Sequence, residues 1–193
     1  MEATANHITR HGYADMVLER VASDAGYTRG ALYHLFANKT ELTLATVEWV
    51  YDSWREDVGY LYADEGDPVV RLAAAARSTA VHYRRGDVTR AISRLADCTS
   101  VDHPVDRRVG QIIEEVLTET VRLITAGQRS GAIPAVEPPR ELALAYLGSI
   151  DGVLNALVGQ NPYDALLAER AALGVLGLLP KPEPVPGDLI GDS

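Results

Sequence analysis

A short run of polar and aromatic residues between positions 28 and 39 has the residue types and spacing needed to contact a nucleic-acid duplex. An arginine fork can pair with guanine acceptors or with a phosphate. Hydroxyl groups and a lysine ammonium suit phosphate oxygens, and a glycine leaves room for a close approach. The candidate DNA-contacting residues are Thr28, Arg29, Gly30, Ala31, Tyr33, His34 and Lys39.

Two short helices joined by a tight turn would position these side chains. The helix near 17–25 is predicted by an apolar stripe at helical spacing, Leu18, Val21 and Ala22. Gly26 can adopt the left-handed backbone that ends a helix, and Thr28 can cap the next one. In that second helix, near 28–35, Leu32 and Phe36 can face inward and leave the candidates exposed. This helix-turn-helix pattern is typical of proteins that set the second helix in the major groove.

The run from Ala25 to Leu42 resembles the signature of the tetracycline-repressor (TetR) family of bacterial transcription regulators. The matching positions are Ala25, Gly26, Thr28, Gly30, Leu32, Tyr33, Phe36, Lys39 and Leu42. The resemblance implies that Lys39, at the start of a fourth helix, clamps a phosphate, where the helix dipole also favours an anion. The family usually opens its second helix with Thr or Ser. Here Met16 and Val17 stand there, so Asp15 is the expected cap.

Composition and residue periodicity predict an all-α fold of about nine helices. Apolar residues make up 47% of the 193-residue chain and charged residues 23%, which is typical of a globular protein. Ala, Leu, Glu and Arg abound, and all favour helices. We expect a DNA-binding domain at 1–45, a helical effector-binding and dimerisation domain at 46–179, and a mobile, proline-rich tail at 180–193. The helices of the larger domain are expected near 39–62, 68–85, 88–98, 105–129, 139–159 and 162–179.

The last two predicted helices carry small residues at regular spacing. Gly148, Gly152 and Ala156 recur every four residues, and Gly174 and Gly177 interrupt a leucine-rich run. A glycine inside a helix costs about 1 kcal/mol, so a packing reason is expected. The family resemblance implies a homodimer formed through these helices, although packing within one chain is the alternative. The predicted interface residues are Gly148, Gly152, Ala156, Leu173 and Gly177.

The middle helices contain aromatic and polar side chains that the resemblance places around an effector cavity. The wider set is Trp49, Trp54, Tyr60, Tyr62, His82, Tyr83, Cys98 and His103. Trp54, His82 and Tyr83 are the preferred ligand contacts, because they combine size with a polar tip. Core packing explains each of them equally well.

The resemblance therefore implies a ligand-responsive, homodimeric DNA-binding repressor of a near-palindromic operator, with an unidentified small-molecule effector. No nucleophile elbow, phosphate loop, dinucleotide fingerprint or metal-ligand spacing appears, so neither catalysis nor a cofactor is expected. The single cysteine, the absence of a signal peptide and the absence of a membrane-length apolar run indicate a cytoplasmic protein. The net charge of −9 opposes DNA binding. The alternative is accordingly a helical interaction protein of the same fold that has lost specific DNA binding.

Overall fold

The structure is a computed structural model that describes residues 1–63, 65–84, 91–92, 95, 103–157 and 163–178. Within these ranges the chain is all-helical, with a helix count close to the nine predicted, and no strand occurs. The helices are α1 (Glu2–His11), α2 (Leu18–Asp24), α3 (Arg29–Leu35), α4 (Lys39–Trp54), α5 (Tyr60–Ala63), α6 (Pro68–Tyr83), α7 (Pro104–Ser130), α8 (Pro139–Ala156) and α9 (Tyr163–Val175). Among the described residues, no helix is both long and apolar enough to cross a membrane.

The turn between α2 and α3 forms through the local signals that the sequence contains. Gly26 has φ 75°, the left-handed conformation, and the Tyr27 amide donates to the Ala22 carbonyl over 2.8 Å. The Thr28 hydroxyl oxygen accepts from the Ala31 amide at 3.2 Å, which caps α3 as predicted. The expected cap on α2 is wrong, because the residue at its start is Val17 and no side chain accepts a hydrogen bond there.

The start of α4 is fixed by a reciprocal cap. The Asn38 side-chain oxygen accepts from the Glu41 amide at 3.0 Å, and the Glu41 carboxylate accepts from the Ala37 amide at 2.9 Å. The return bond thus reaches one residue further back than in the usual capping box. Both orphan donors are satisfied, so α4 begins at a rigid point directly after α3.

The helix predicted over 39–62 is continuous in direction but not uniform. A π-helical segment, Arg55–Gly59, separates α4 from the short α5. Such insertions are rare and often occur at functional sites. The segment gives Asp57 a hydrogen bond of 2.7 Å to Nδ1 of the buried His82 on α6. The π segment is therefore tied to the body of the protein.

Two apolar clusters form the core. One lies among α5 to α9 and surrounds the fully buried Tyr146, whose hydroxyl donates to the Leu72 carbonyl at 2.7 Å. The other joins α1 to α4 with residues that follow in the body, among them Leu95, Val105 and Val109. This second cluster crosses the domain boundary predicted at 45/46, so the start of α7 packs directly against the N-terminal helices. The predicted helix at 88–98, apart from residues 91, 92 and 95, and the tail at 180–193 lie outside the described residues.

Candidate nucleic-acid interface

Helix α3 presents one side to solvent and only a narrow side to the core. Leu32 is buried and Phe36 packs behind it. On the opposite side Tyr33 is 41% exposed and His34 is exposed as well. A helix this short, with large side chains standing clear of the fold, is free to enter a groove about 12 Å wide.

Arg29 stands at the first position of α3 with its side chain 68% exposed. Its Nε lies 3.1 Å from a carboxylate oxygen of Glu19 on α2, and its guanidinium carbon lies 5.3 Å from the centre of the Tyr33 ring. An exposed pair of this kind contributes little to stability. Glu19 keeps the guanidinium near the start of α3. Because the pair is weak, a phosphate could compete with Glu19 for the guanidinium.

Gly30 and Ala31 form the flat part of the same surface. A Cβ atom added at Gly30 would meet nothing closer than the Thr28 hydroxyl oxygen at 4.0 Å. Among the described residues, nothing therefore requires glycine at this position for packing. Ala31 is partly buried beside it.

Lys39 has a structural role in the chain that the sequence did not indicate. Its ammonium donates to the Ala14 carbonyl at 2.9 Å and lies 4.4 Å from the centre of the Tyr13 ring. Partial burial lowers the pKa of this amine, against the opposing effect of the Asp15 carboxylate. An ammonium has three donors, so Lys39 can join the loop after α1 to the α4 start and still offer a proton to a phosphate.

The same loop reaches the start of α7 through His103. The Tyr13 hydroxyl lies 3.1 Å from the Thr40 hydroxyl and 3.2 Å from Nε2 of His103. His103 Nδ1 accepts from the Val105 amide at 3.2 Å, which caps α7. His103 was a candidate for the effector cavity. In the structure it joins the helix-turn-helix to the body.

Arg108 supplies a second link between α4 and α7. Its guanidinium pairs with both carboxylate oxygens of Glu48, at 2.5 and 2.9 Å, and with Glu115 at 2.9 Å. These bonds lower the pKa of both carboxyl groups. The Tyr51 hydroxyl donates to Glu115 at 3.0 Å, and burial together with that carboxylate raises the pKa of Tyr51 to about 12. Helix α4 is thus held along its second half.

The predicted dimer surface is an exposed stripe on α8. Gly148, Gly152 and Ala156 are exposed, Leu144 is 53% exposed beside them, and a Cβ atom added at either glycine would meet nothing within 4 Å. Among the described residues, packing within the chain therefore gives no reason for glycine at 148 and 152.

The two predicted interface residues near the end of α9 have other roles. Leu173 is 8% exposed, so the chain itself already buries it and it offers little surface to a partner. Gly177 lies beyond the end of α9 with φ 72°, and the Leu178 amide donates to the Leu173 carbonyl at 2.9 Å. The left-handed turn that terminates the helix accounts for glycine at this position.

Of the three preferred ligand contacts, Trp54 lines a groove from whose lining His82 and Tyr83 are absent. His82 is bound to Asp57, and the Tyr83 hydroxyl donates to Asn155 at 3.4 Å. The open groove of Trp54, of about 1100 Å³, lies between α4–α5 and α7 and is also lined by Tyr51, Tyr60 and Tyr62. Trp49 is absent from its lining, and Cys98 lies outside the described residues. Sequence periodicity could not find this groove, because its walls come from segments about 60 residues apart.

The comparisons with known proteins agree with this arrangement. The family model described as bacterial regulatory proteins, tetR family, matches residues 1–46. No protein among the curated sequences matches the chain. Solved structures are similar over nearly the whole chain. AibR in complex with isovaleryl coenzyme A and operator DNA has a TM-score of 0.74 and 23% identity, over 92% of this chain and 94% of that one.

Two further structures are similar to the same extent. FadR from Bacillus subtilis in complex with stearoyl-CoA has a TM-score of 0.73 and 17% identity, over 91% of this chain and 94% of that one. A TetR-family transcriptional regulator from Streptomyces coelicolor has a TM-score of 0.74 and 19% identity, over 91% of each chain.

The fold and the exposed α3 surface define the class of the protein, which is all-helical with an N-terminal helix-turn-helix. The resemblance seen in the sequence is confirmed: residues 1–46 match the tetR family model, and the fold of the described residues is similar to that of TetR-family regulators.

Proposed function

We propose that the protein is a ligand-responsive transcriptional regulator that binds a near-palindromic operator as a homodimer and acts as a repressor. The observation that carries the proposal is the exposed face of α3, where Arg29, Gly30, Tyr33 and His34 stand free of the core. Thr28, Ala31 and Lys39 complete the contact surface. AibR, which is similar in fold, forms a complex with isovaleryl coenzyme A and operator DNA.

A dimer is expected because one helix-turn-helix (one reading head) would by itself attract DNA only weakly. The segment 1–46 holds three arginines and one lysine against five carboxylates, so its phosphate attraction is small. Two heads joined through one rigid dimer can engage successive half-sites, and the second contact then forms at high effective concentration. The exposed small-residue stripe on α8, continued by the exposed Gly174 and Leu167 of α9, supports the required self-association.

For regulation, the effector must have a higher affinity for the conformation that cannot bind DNA than for the conformation that binds it. Helix α4 starts directly after the reading helix and is held by Glu48 and Tyr51 against α7. A ligand that alters this contact would reposition the two reading heads relative to each other. We infer that α4 carries the signal in this way.

Binding of the chain to DNA from its own upstream region, measured by fluorescence anisotropy between 50 and 200 mM salt, tests the proposal. We expect affinity to fall steeply with salt, as it does when phosphate contacts release counterions. Tyr33→Ala should weaken binding about ten-fold by removing one contact. Tyr33→Phe should show how much of that loss belongs to the hydroxyl.

The control is Val70→Ala, which truncates an exposed apolar side chain on α6, away from α3, and should leave DNA binding unchanged. Helix content and oligomer mass of all variants should equal those of the parent. If the folded parent dimer bound no upstream fragment even at low salt, the protein would instead be the helical interaction partner that the acidic composition allows.

A further inference from the structure

We propose that a groove along α1 (the α1 groove) binds a divalent transition-metal ion through the imidazoles of His7 and His11. The two residues lie four apart in the helix, a spacing that places them on one side and one turn from each other. Their ring centres are 4.6 Å apart, with planes inclined by 51°. Two histidines at this spacing on a helix are a pair with which zinc enzymes hold their ion.

Neither imidazole is engaged by another part of the described chain. His7 is only 6% exposed, yet its ring has no hydrogen bond or ion pair with any described residue, and the same is true of the exposed His11. A polar side chain that is buried without a partner is unfavourable. Both rings line the α1 groove, which has a volume of about 490 Å³. A bound ion would therefore supply the partner that the fold does not give His7.

The charges of the α1 groove favour a cation. Two carboxylates line it together with the histidines, Glu2 at the start of α1 and Asp24 at the end of α2. Both are exposed, and neither forms an ion pair or a hydrogen bond with the described residues. Arg10 is the single arginine of the lining. The carboxylates are thus available to balance the charge of an ion.

The donor set defines the class of ion. Among the described residues, no group of three or more His, Cys, Asp and Glu side chains is placed to hold a metal. The α1 groove therefore supplies two imidazole nitrogens, and water completes the coordination. Glu2 and Asp24 would accept hydrogen bonds from that water, as outer-shell carboxylates do. Imidazole suits Cu²⁺, Ni²⁺ and Zn²⁺, whereas Mg²⁺ and Ca²⁺ prefer oxygen ligands.

Metal binding at α1 does not depend on the proposed function, because no residue of the α1 groove belongs to the α3 contact surface. It does bear on the stability of the same module. Ala5 and Ile8 of α1 are buried in the cluster that joins α1 to α4. An ion that binds folded α1 and not the unfolded chain would stabilise this packing.

Calorimetric titration of the tag-free chain with NiCl₂ tests the assignment. The chain has one cysteine, so Cys98→Ser serves as the parent and removes the thiol that would compete for the metal. We expect one Ni²⁺ per chain and no measurable binding of Mg²⁺. His11→Asn and His7→Asn should each weaken Ni²⁺ binding at least about ten-fold, since even an outer-shell partner can contribute that much. Asp24→Asn should weaken it less.

His34→Asn is the matched control, because it removes an exposed imidazole on α3 and should leave the affinity for Ni²⁺ unchanged. Equal losses in His34→Asn and His11→Asn, or no loss in His11→Asn, would overturn the site. Saturating NiCl₂ should raise the Tm of the parent and not that of His11→Asn. An equal rise in both would place the ion elsewhere.

The electron paramagnetic resonance spectrum of the Cu²⁺-loaded chain provides a readout of the ligands themselves. We expect coupling to two imidazole nitrogens in the parent and to one in His11→Asn. A spectrum without nitrogen coupling would overturn the assignment. Because His11 is exposed, His11→Asn should keep the helix content of the parent, so this variant and the spectrum decide the proposal even if the buried His7→Asn fails to fold.

Discussion

The two exposed helix faces, on α3 and on α8, are built in opposite ways. Helix α3 presents long side chains that project from the fold, with Arg29 and Tyr33 foremost. Helix α8 presents a stripe of small residues, since Gly148, Gly152 and Ala156 leave part of its backbone uncovered. Long polar groups reach into a groove of a partner. A bare backbone allows a second helix to approach closely. The same exposure thus predicts a nucleic-acid partner for one face and a protein partner for the other.

The charges around the two faces support this contrast. Near α3 the arginine fork is held by one acidic neighbour, Glu19, at 3.1 Å, so the surface can exchange that carboxylate for a phosphate. On α8 the exposed stripe is flanked by Leu144 and carries few charges, Asp151 being one of them. Apolar, closely approaching surfaces of this kind are typical of stable protein interfaces.

The largest expected effect is that of Gly152→Leu. The isolated chain has open space at this position, so the fold should persist. In a closely packed dimer the added side chain would be overpacked on both copies, at a cost of about 1–3 kcal/mol for each. We expect sedimentation analysis to show a monomer at micromolar concentration. Operator binding should be lost with the dimer.

Gly110→Leu is the matched control for that experiment. Gly110 also lies inside a long helix, is exposed, and has nothing within 4 Å of an added Cβ atom. The Gly110→Leu substitution should not weaken dimerisation. Equal dimer dissociation constants for the two leucine variants would remove the α8 face from the interface.

The next effect in size is that of Arg29→Ala. Loss of a bidentate contact to a base costs about 1–3 kcal/mol, or roughly five- to 150-fold in affinity. The dimer should be unaffected, in contrast to Gly152→Leu. Competition binding with operator variants should show relaxed specificity at one base pair of each half-site.

Glu19→Gln sharpens the same test, because it removes the carboxylate that competes for Arg29. Operator affinity should rise a few-fold at low salt and less at high salt. A fall in operator affinity for Glu19→Gln would show that the ion pair with Glu19 positions Arg29 for DNA binding and does not hold it away from the DNA. An unchanged affinity for Arg29→Ala would place this side chain outside the contact surface.

Some of these features could be predicted from sequence because their causes are local. Gly26 and Thr28 act within three to five residues, and the structure confirms the turn and the α3 cap. The π-helical segment 55–59 has no such local signal. The same holds for His103, whose contact with Tyr13 spans 90 positions. Long-range packing decides such contacts. It also forms the groove between α4–α5 and α7, whose lining includes Trp54 but not His82.

The smallest effect, and the one that separates the two kinds of surface most finely, is that of Gly148→Ala. In a helix with open space around the new methyl group, alanine should stabilise the chain by about 0.5–1 kcal/mol. We expect this gain in urea unfolding when the change is made in the monomeric Gly152→Leu background. In the parent background the methyl group meets the partner helix, so the dimer should gain less or lose stability. An identical gain in both backgrounds would mean that no helix approaches α8 at this position, and the contrast with α3 would reduce to side-chain size alone.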